Sequence, residues 1–142
     1  MAKQLVLDAN ILMRGVLGTR VAMLIRDYAS DVDLLTIEEA FEDVATYLPE
    51  VLTRRGSHRL DIQTALTKLT SLKHFLQIMP VSLFQPLERQ ARERLKGRDE
   101  DDWPYVALAL VLECPIWTED TDFFGCGIPI WTTDRVELYL AY

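Results

Sequence analysis

Short unbroken apolar runs alternate along this chain with longer stretches in which apolar residues recur every three or four positions. The run from Gln4 to Asp8, centred on Leu5, Val6 and Leu7, is too short for a helix and reads as a buried strand. From Ile11 to Tyr28 the spacing becomes helical, with breaks expected near Gly15 and Gly18. Asp33 to Thr36 forms a second strand. Thr36 stands where it would cap a helix running from Ile37 into the region of Leu48, and Pro49 is expected to kink or divide that helix. Ile62, Ala65, Leu66, Leu69 and Leu72 make one stripe between Asp61 and Phe75, which predicts a core-facing helix. Gln77 to Val81 is a weak third strand interrupted by Pro80, and Pro86 to Leu95 a charged helix ending near Gly97. Asp102 to Glu113 is a helix rich in Ala, Val and Leu. Ile116 to Thr118 and Ile128 to Thr132 complete the strands, and Arg135 to Tyr142 is a terminal helix.

Strands this short and this uniformly apolar are buried on both faces, which favours a parallel sheet with helices on each side. The predicted fold is a three-layer α/β/α sandwich with a mostly parallel central sheet. At 142 residues the chain fits a single domain spanning positions 1–142, and it carries no internal repeat or low-complexity linker. Arg54 to His58 is its most loop-like interior segment.

Composition narrows the function. With 49% hydrophobic and 26% charged residues the chain is a folded protein and not a disordered tail. A net charge of -7 argues against holding nucleic acid by bulk positive charge, although basic residues gather at Arg54-Arg55, at Arg59 and between Arg89 and Arg98. Cys114 and Cys126 lack CxxC spacing and read as reduced core residues. The opening residues lack the apolar core of a signal peptide, and no apolar run approaches the roughly 20 residues needed to cross a bilayer, so a cytoplasmic location without membrane attachment is expected.

Carboxylates mark the candidate chemistry. Asp8 ends the first strand, with Asn10 two residues on; Glu42 follows the second strand, on a helix that also carries Glu38, Glu39 and Asp43. Asp102 closes the run Asp99-Glu100-Asp101-Asp102 at a helix start, and Asp120 and Asp122 follow the strand that ends at Thr118. Strand ends in an open parallel sheet collect along one edge, where a crevice forms, so these acids can converge. Each segment alone also has a bland reading: helix capping for Asp8, Asn10 and Asp102, a solvated helix face for Glu42, a turn for Asp120 and Asp122. Four successive acids before Trp103 repel one another unless solvated or bound to a cation.

With those residues in place, the chain resembles a PIN domain of the PilT N-terminal type, as in VapC-like toxin ribonucleases. Leu5-Val6-Leu7-Asp8-Ala9-Asn10 is similar to the family's opening motif, and Thr36 with Glu42 to its Ser/Thr-to-Glu spacing. Asp102 before Ala107 and Ala109 is similar to the third acidic position, where Asp99 and Asp101 compete for the same role. Trp117-Thr118-Glu119-Asp120-Thr121-Asp122-Phe123 is similar to the closing motif. The resemblance implies hydrolysis of RNA phosphodiesters dependent on Mg²⁺ or Mn²⁺. It implies Asp8, Glu42, Asp102 and Asp120 as catalytic and metal-binding acids, Asp122 as a further metal ligand, and Asn10 and Thr118 as supporting residues. An antitoxin protein and a homodimer are the partners it implies besides RNA.

Two other readings stay open at this point. A non-catalytic interaction module on the same fold would suit the negative charge, and Asp8 could serve as a phosphoryl-accepting nucleophile, although Asn10 replaces the second Asp of a DxD pattern. His58 and His74 form no zinc pattern and read as surface or packing residues. Trp103, Trp117 and Trp131 read as buried sooner than as base-stacking. The stretch Arg89, Arg92, Arg94, Lys96 and Arg98 fits either phosphate tracking or a salt-bridged face, because Glu88 and Glu93 are interleaved with it.

Overall fold

The computed structural model describes residues 2–142. Its strands are β1 (Lys3–Leu7), β2 (Val32–Thr36), β3 (Gln77–Ile78), β4 (Ile116–Trp117) and β5 (Ile130–Trp131). They form one sheet in the order β3-β2-β1-β4-β5, and every pairing is parallel. Leu5, Val6 and Leu7 have no exposed surface, as expected of a central strand covered on both faces. The α/β/α sandwich predicted from the apolar pattern is the observed fold.

The strand order fixes where a ligand site can form. From β1 the chain steps outward through β2 to β3, then crosses back to β4 on the other side of β1 and continues to β5. The progression therefore reverses between β1 and β4, and beyond the carboxyl ends of the strands at such a reversal is where open α/β sheets bind their ligands. Because parallel crossovers are right-handed, the reversal also places helices on opposite faces. Helices α1 (Ala9–Leu17), α2 (Arg20–Tyr28), α3 (Glu38–Arg54) and α4 (Arg59–Lys73) pack together. On the other side α5 (Val81–Phe84) and α6 (Glu88–Arg94) pack on α7 (Trp103–Leu112), which also packs on β1; α8 (Val136–Ala141) rests on α2.

Several local expectations are corrected. Gly15 does not interrupt α1; it is buried within it, and a Cβ there would lie 2.9 Å from Leu72 Cδ1, so its bareness lets α1 approach α4. The helical stretch breaks only around Gly18 and Thr19. Pro49 neither ends nor divides α3, whose buried Leu48 and Leu52 hold both sides of the proline against the core. Thr36 does not cap α3, which has Ile37 at its N-cap. Its hydroxyl instead donates to the carbonyl of Leu7 at 2.8 Å, tying the ends of β1 and β2 together. Helix α5 and the 3-10 turn Gln85–Leu87 were not legible in the sequence. They seat Phe84 in the core, with its ring 5.9 Å from that of Trp103.

Candidate active site

Among the described residues, the buried polar side chains are Asp8, Thr36 and Thr118, and all three lie at the carboxyl ends of neighbouring strands. The rest of the buried set is hydrophobic. Asp8 follows β1 directly and is the N-cap of α1: its Oδ1 accepts from the Ile11 N–H at 3.0 Å, and its Oδ2 accepts from the Thr118 hydroxyl, just beyond β4. One carboxylate thus spans the reversal point of the sheet. The helix-cap reading of Asp8 and the site reading hold together, since only one of its oxygens is used by the cap.

Thr118 also accepts from the Asp120 N–H at 2.9 Å, and Asp120 Oδ1 in turn accepts from the Asp122 N–H at 2.9 Å. These bonds shape the turn after β4 and leave both acids half-buried, Asp120 near Asp8 and both near Asp102. Glu119 points elsewhere, accepting from the Thr133 N–H at 2.7 Å.

The acidic run before α7 divides by role. Asp99 accepts from the Asp101 N–H at 3.0 Å and so forms the turn, while Asp101 is exposed and lies 3.9 Å from Arg92. Asp102 precedes α7 as its N-cap residue, makes no side-chain capping bond and is half-buried. Burial pushes its carboxyl up to about 7, with the charges of Asp99, Asp120, Asp8 and Asp122 adding to the effect. Burial likewise pushes Asp8 up to about 6, against the bonds from Thr118 and Ile11, with Asp120 and Glu119 adding. The two carboxyls titrate high because they are desolvated next to further acids. Among the described residues, none of Asp8, Asp102, Asp120 and Asp122 has a Lys, Arg or His ion-pair partner.

Helix α3 contributes differently from the sequence expectation. Glu42 is exposed, and its resolved influence is on Glu39, whose carboxyl is raised by burial and then by Asp43, Glu42 and Asp101. Asp43, one position on, is half-buried and raised by burial, and it lines a hollow with Ala9, Asn10 and Tyr47. Neighbouring helical positions diverge by about 100° around the axis, so Asp43 and Glu42 cannot face the same way. Asp43 shares its face with Glu39 and Tyr47 instead. The signal that favours it was present in the chain: Val44 and Leu48 are buried and Asp43 borders that stripe.

Tyr105 was missed altogether. It lies one turn beyond Asp102 on α7, is buried, and hydrogen-bonds to the backbone of Ala9. Burial raises its hydroxyl pKa, and Asp8, Asp43 and Asp102 raise it further, which places it among three of the acidic segments. Asn10 is exposed on α1, where its Oδ1 accepts from Arg14 Nε at 3.4 Å.

The donors available here are carboxylate and hydroxyl oxygens, the set preferred by hard divalent cations. Among the described residues, no three Asp, Glu, His or Cys side chains stand close enough to enclose an ion by themselves. An ion held here would complete its shell through water, as Mg²⁺ commonly does.

An open parallel sheet with a cluster of acids at its reversal point defines the class as an α/β domain whose site lies at its strand ends. A PIN domain family model matches residues 6–141, and the chain belongs to that family. PIN domains are generally nucleases. No curated protein matches the sequence. Among the described residues no helix is long and apolar enough to cross a membrane.

Proposed function

We propose that this protein is a Mg²⁺- or Mn²⁺-dependent endoribonuclease. The observation that carries the reading is Asp8, a carboxylate 4% exposed with two hydrogen bonds, no basic partner and further acids around it. A buried carboxylate without a counter-charge is costly, and a divalent cation relieves that cost. Asp8, Asp102 and Asp120 are the ligands proposed, with Asp122 as a further one, and Asp43 takes the part that the family resemblance implied for Glu42. Asn10 supports the site at its rim.

A bound divalent ion supplies positive charge to the scissile phosphate and lowers the pKa of an attacking water. The protein's own groups keep Asp8 in place: Thr118 and the Ile11 N–H hold its two oxygens, and both bonds favour the anion that a cation needs. Asp102, without a capping bond to occupy it, is available for the same ion or for a water. Hydrolysis by this route needs no covalent protein nucleophile.

The finer role proposed is that of a toxin in a toxin-antitoxin pair, active as a homodimer and silenced by a small antitoxin that covers the crevice. Cleavage of a mixed RNA pool with and without Mn²⁺, followed by mapping of the cut ends, tests the reading. Cleavage is expected only with the metal, and Asp8→Asn and Asp120→Asn are expected to lose it, by about a hundredfold or more, while retaining the folded circular-dichroism spectrum. Equal cleavage by both variants would defeat the site; a folded wild type inert with every metal and RNA tried would leave a non-catalytic PIN module.

A further inference from the structure

We infer that the cleft beside α1 is the entry track for single-stranded RNA, with Arg14 and Arg55 on phosphates and Tyr47 stacking on a base; the inference rests on the ribonuclease reading for its substrate class. A groove of about 590 Å³ runs between α1, the start of α2 and the end of α3. Its charged lining residues are Arg14, Arg20 and Arg55, with no carboxylate among the lining, in a chain whose net charge is -7. Arg20 is committed to Glu137 at 3.0 Å. Among the described residues Arg14 and Arg55 form no ion pair, and both are exposed. Arg14 gives only its Nε, in a long 3.4 Å bond to Asn10 Oδ1, so two guanidinium groups without a counter-charge stand over an open groove and suit phosphate oxygens.

The groove leads to the acids. At Asn10 and Met13 it joins a second hollow of about 250 Å³, which also contains Asp43 and Tyr47. Tyr47 is 56% exposed, and it is the exposed aromatic ring that lines this hollow. The order along the surface is cationic groove, exposed aromatic ring, then carboxylates. Phosphate, base and scissile phosphate of one strand meet those chemistries in turn. A base must be unpaired to lie against Tyr47, so the track favours single strands.

The other basic region does not offer this. On α6, Arg92 pairs with Glu88 at 2.9 Å and Arg89 lies 3.7 Å from Glu93, while Arg94 and Arg98 donate to the carbonyls of Cys126 and Asp122. Those four cations are engaged within the fold, and Lys96 shares its hollow with Glu88, Glu93 and Glu100, so Arg89→Gln serves as the control substitution.

The test is fluorescence anisotropy of a labelled, mixed-sequence single-stranded RNA with the full-length protein, Ca²⁺ replacing Mn²⁺, across a salt series. The Arg14→Gln/Arg55→Gln double variant is expected to bind at least about tenfold more weakly, with the slope of log affinity against log salt flatter by about 1.4. Tyr47→Ala is expected to lose about fivefold or more and Tyr47→Phe to retain binding, with Arg89→Gln unchanged and each variant keeping the wild-type melting temperature. Weakened binding in the double variant, in a protein that proves unable to cleave, supports the track and defeats only the nuclease reading. Unchanged RNA affinity and salt slope in the double variant, with cleavage intact, overturns the track alone. Equal affinity for duplex RNA overturns it too, as does loss of poly-glutamate binding in place of RNA binding, which would assign the groove to an acidic protein segment.

Discussion

Asp8 sits in the core with one oxygen on the α1 backbone and the other on Thr118, and its lack of a positive partner makes its surroundings a sensor of charge. Removing the Thr118 hydroxyl leaves that carboxylate short of a donor. Thr118→Val is therefore expected to cost about 1–3 kcal/mol in chemical denaturation and to move the acid limb of any pH–rate profile to higher pH, with Thr118→Ser restoring both. An unmoved acid limb would show that Thr118 does not govern Asp8. On α3 the expected contrast is between neighbours: Asp43→Asn weakens Mn²⁺-supported cleavage by about tenfold, whereas Glu42→Gln changes it by less than about twofold. The reverse order of effects would return the role to Glu42. At this scale the sequence identified Asp8, Asp102, Asp120, Asp122 and Thr118 as neighbours, because each follows a strand or precedes a helix whose apolar pattern is unambiguous. It chose Glu42, and the exposed Glu42 beside a half-buried Asp43 shows why spacing alone does not decide, since helix rotation relative to a distant strand is set by tertiary packing. Tyr105 carried no sequence signal beyond its place one turn after Asp102.

Among the elements, the strands and long helices were legible because their periodicity is enforced by burial on both sides of the sheet. Expected strand ends ran longer than the observed ones: β4 stops at Trp117 and β5 begins at Ile130. Short elements escaped notice, α5 above all, because four residues do not complete enough turns to show a period. Thr36 looked like a helix cap, yet a donor at the end of β2 found the Leu7 carbonyl first. The end of α7 holds a different lesson. Glu113 adopts the left-handed conformation there, with φ of 52°, a geometry that favours glycine. Glu113→Gly is expected to raise stability by about 1 kcal/mol, read as a higher melting temperature, since relief of the left-handed strain outweighs the entropy of a glycine in the unfolded chain. A lower melting temperature would contradict the strain assigned to that turn.

Across the whole molecule, an acidic chain gathers carboxylates without a basic partner at the reversal point of the sheet and keeps, among the described residues, two arginines without an ion pair on the groove beside it. That distribution has a consequence for stability. The carboxyls of Asp8 and Asp102 titrate near 6 and 7 in the folded protein, above the ordinary 3.8, so the folded state binds more protons than the unfolded state across that interval. Their contribution is fully present below the ordinary value and is lost as pH rises through 6 and 7, so in EDTA the melting temperature is expected to fall over that range. Saturating Mn²⁺ should raise the melting temperature and flatten the decline, because a ligand of the native state stabilises it. A profile that is the same with and without metal would speak against cation binding at these acids. The most direct measurement is calorimetric titration of Mn²⁺ into the wild type and into Asp8→Asn and Asp102→Asn at pH above both raised values. Saturable binding that weakens by about 10- to 100-fold in each folded variant is predicted; no binding to the wild type, or the same affinity in all three proteins, would contradict the account.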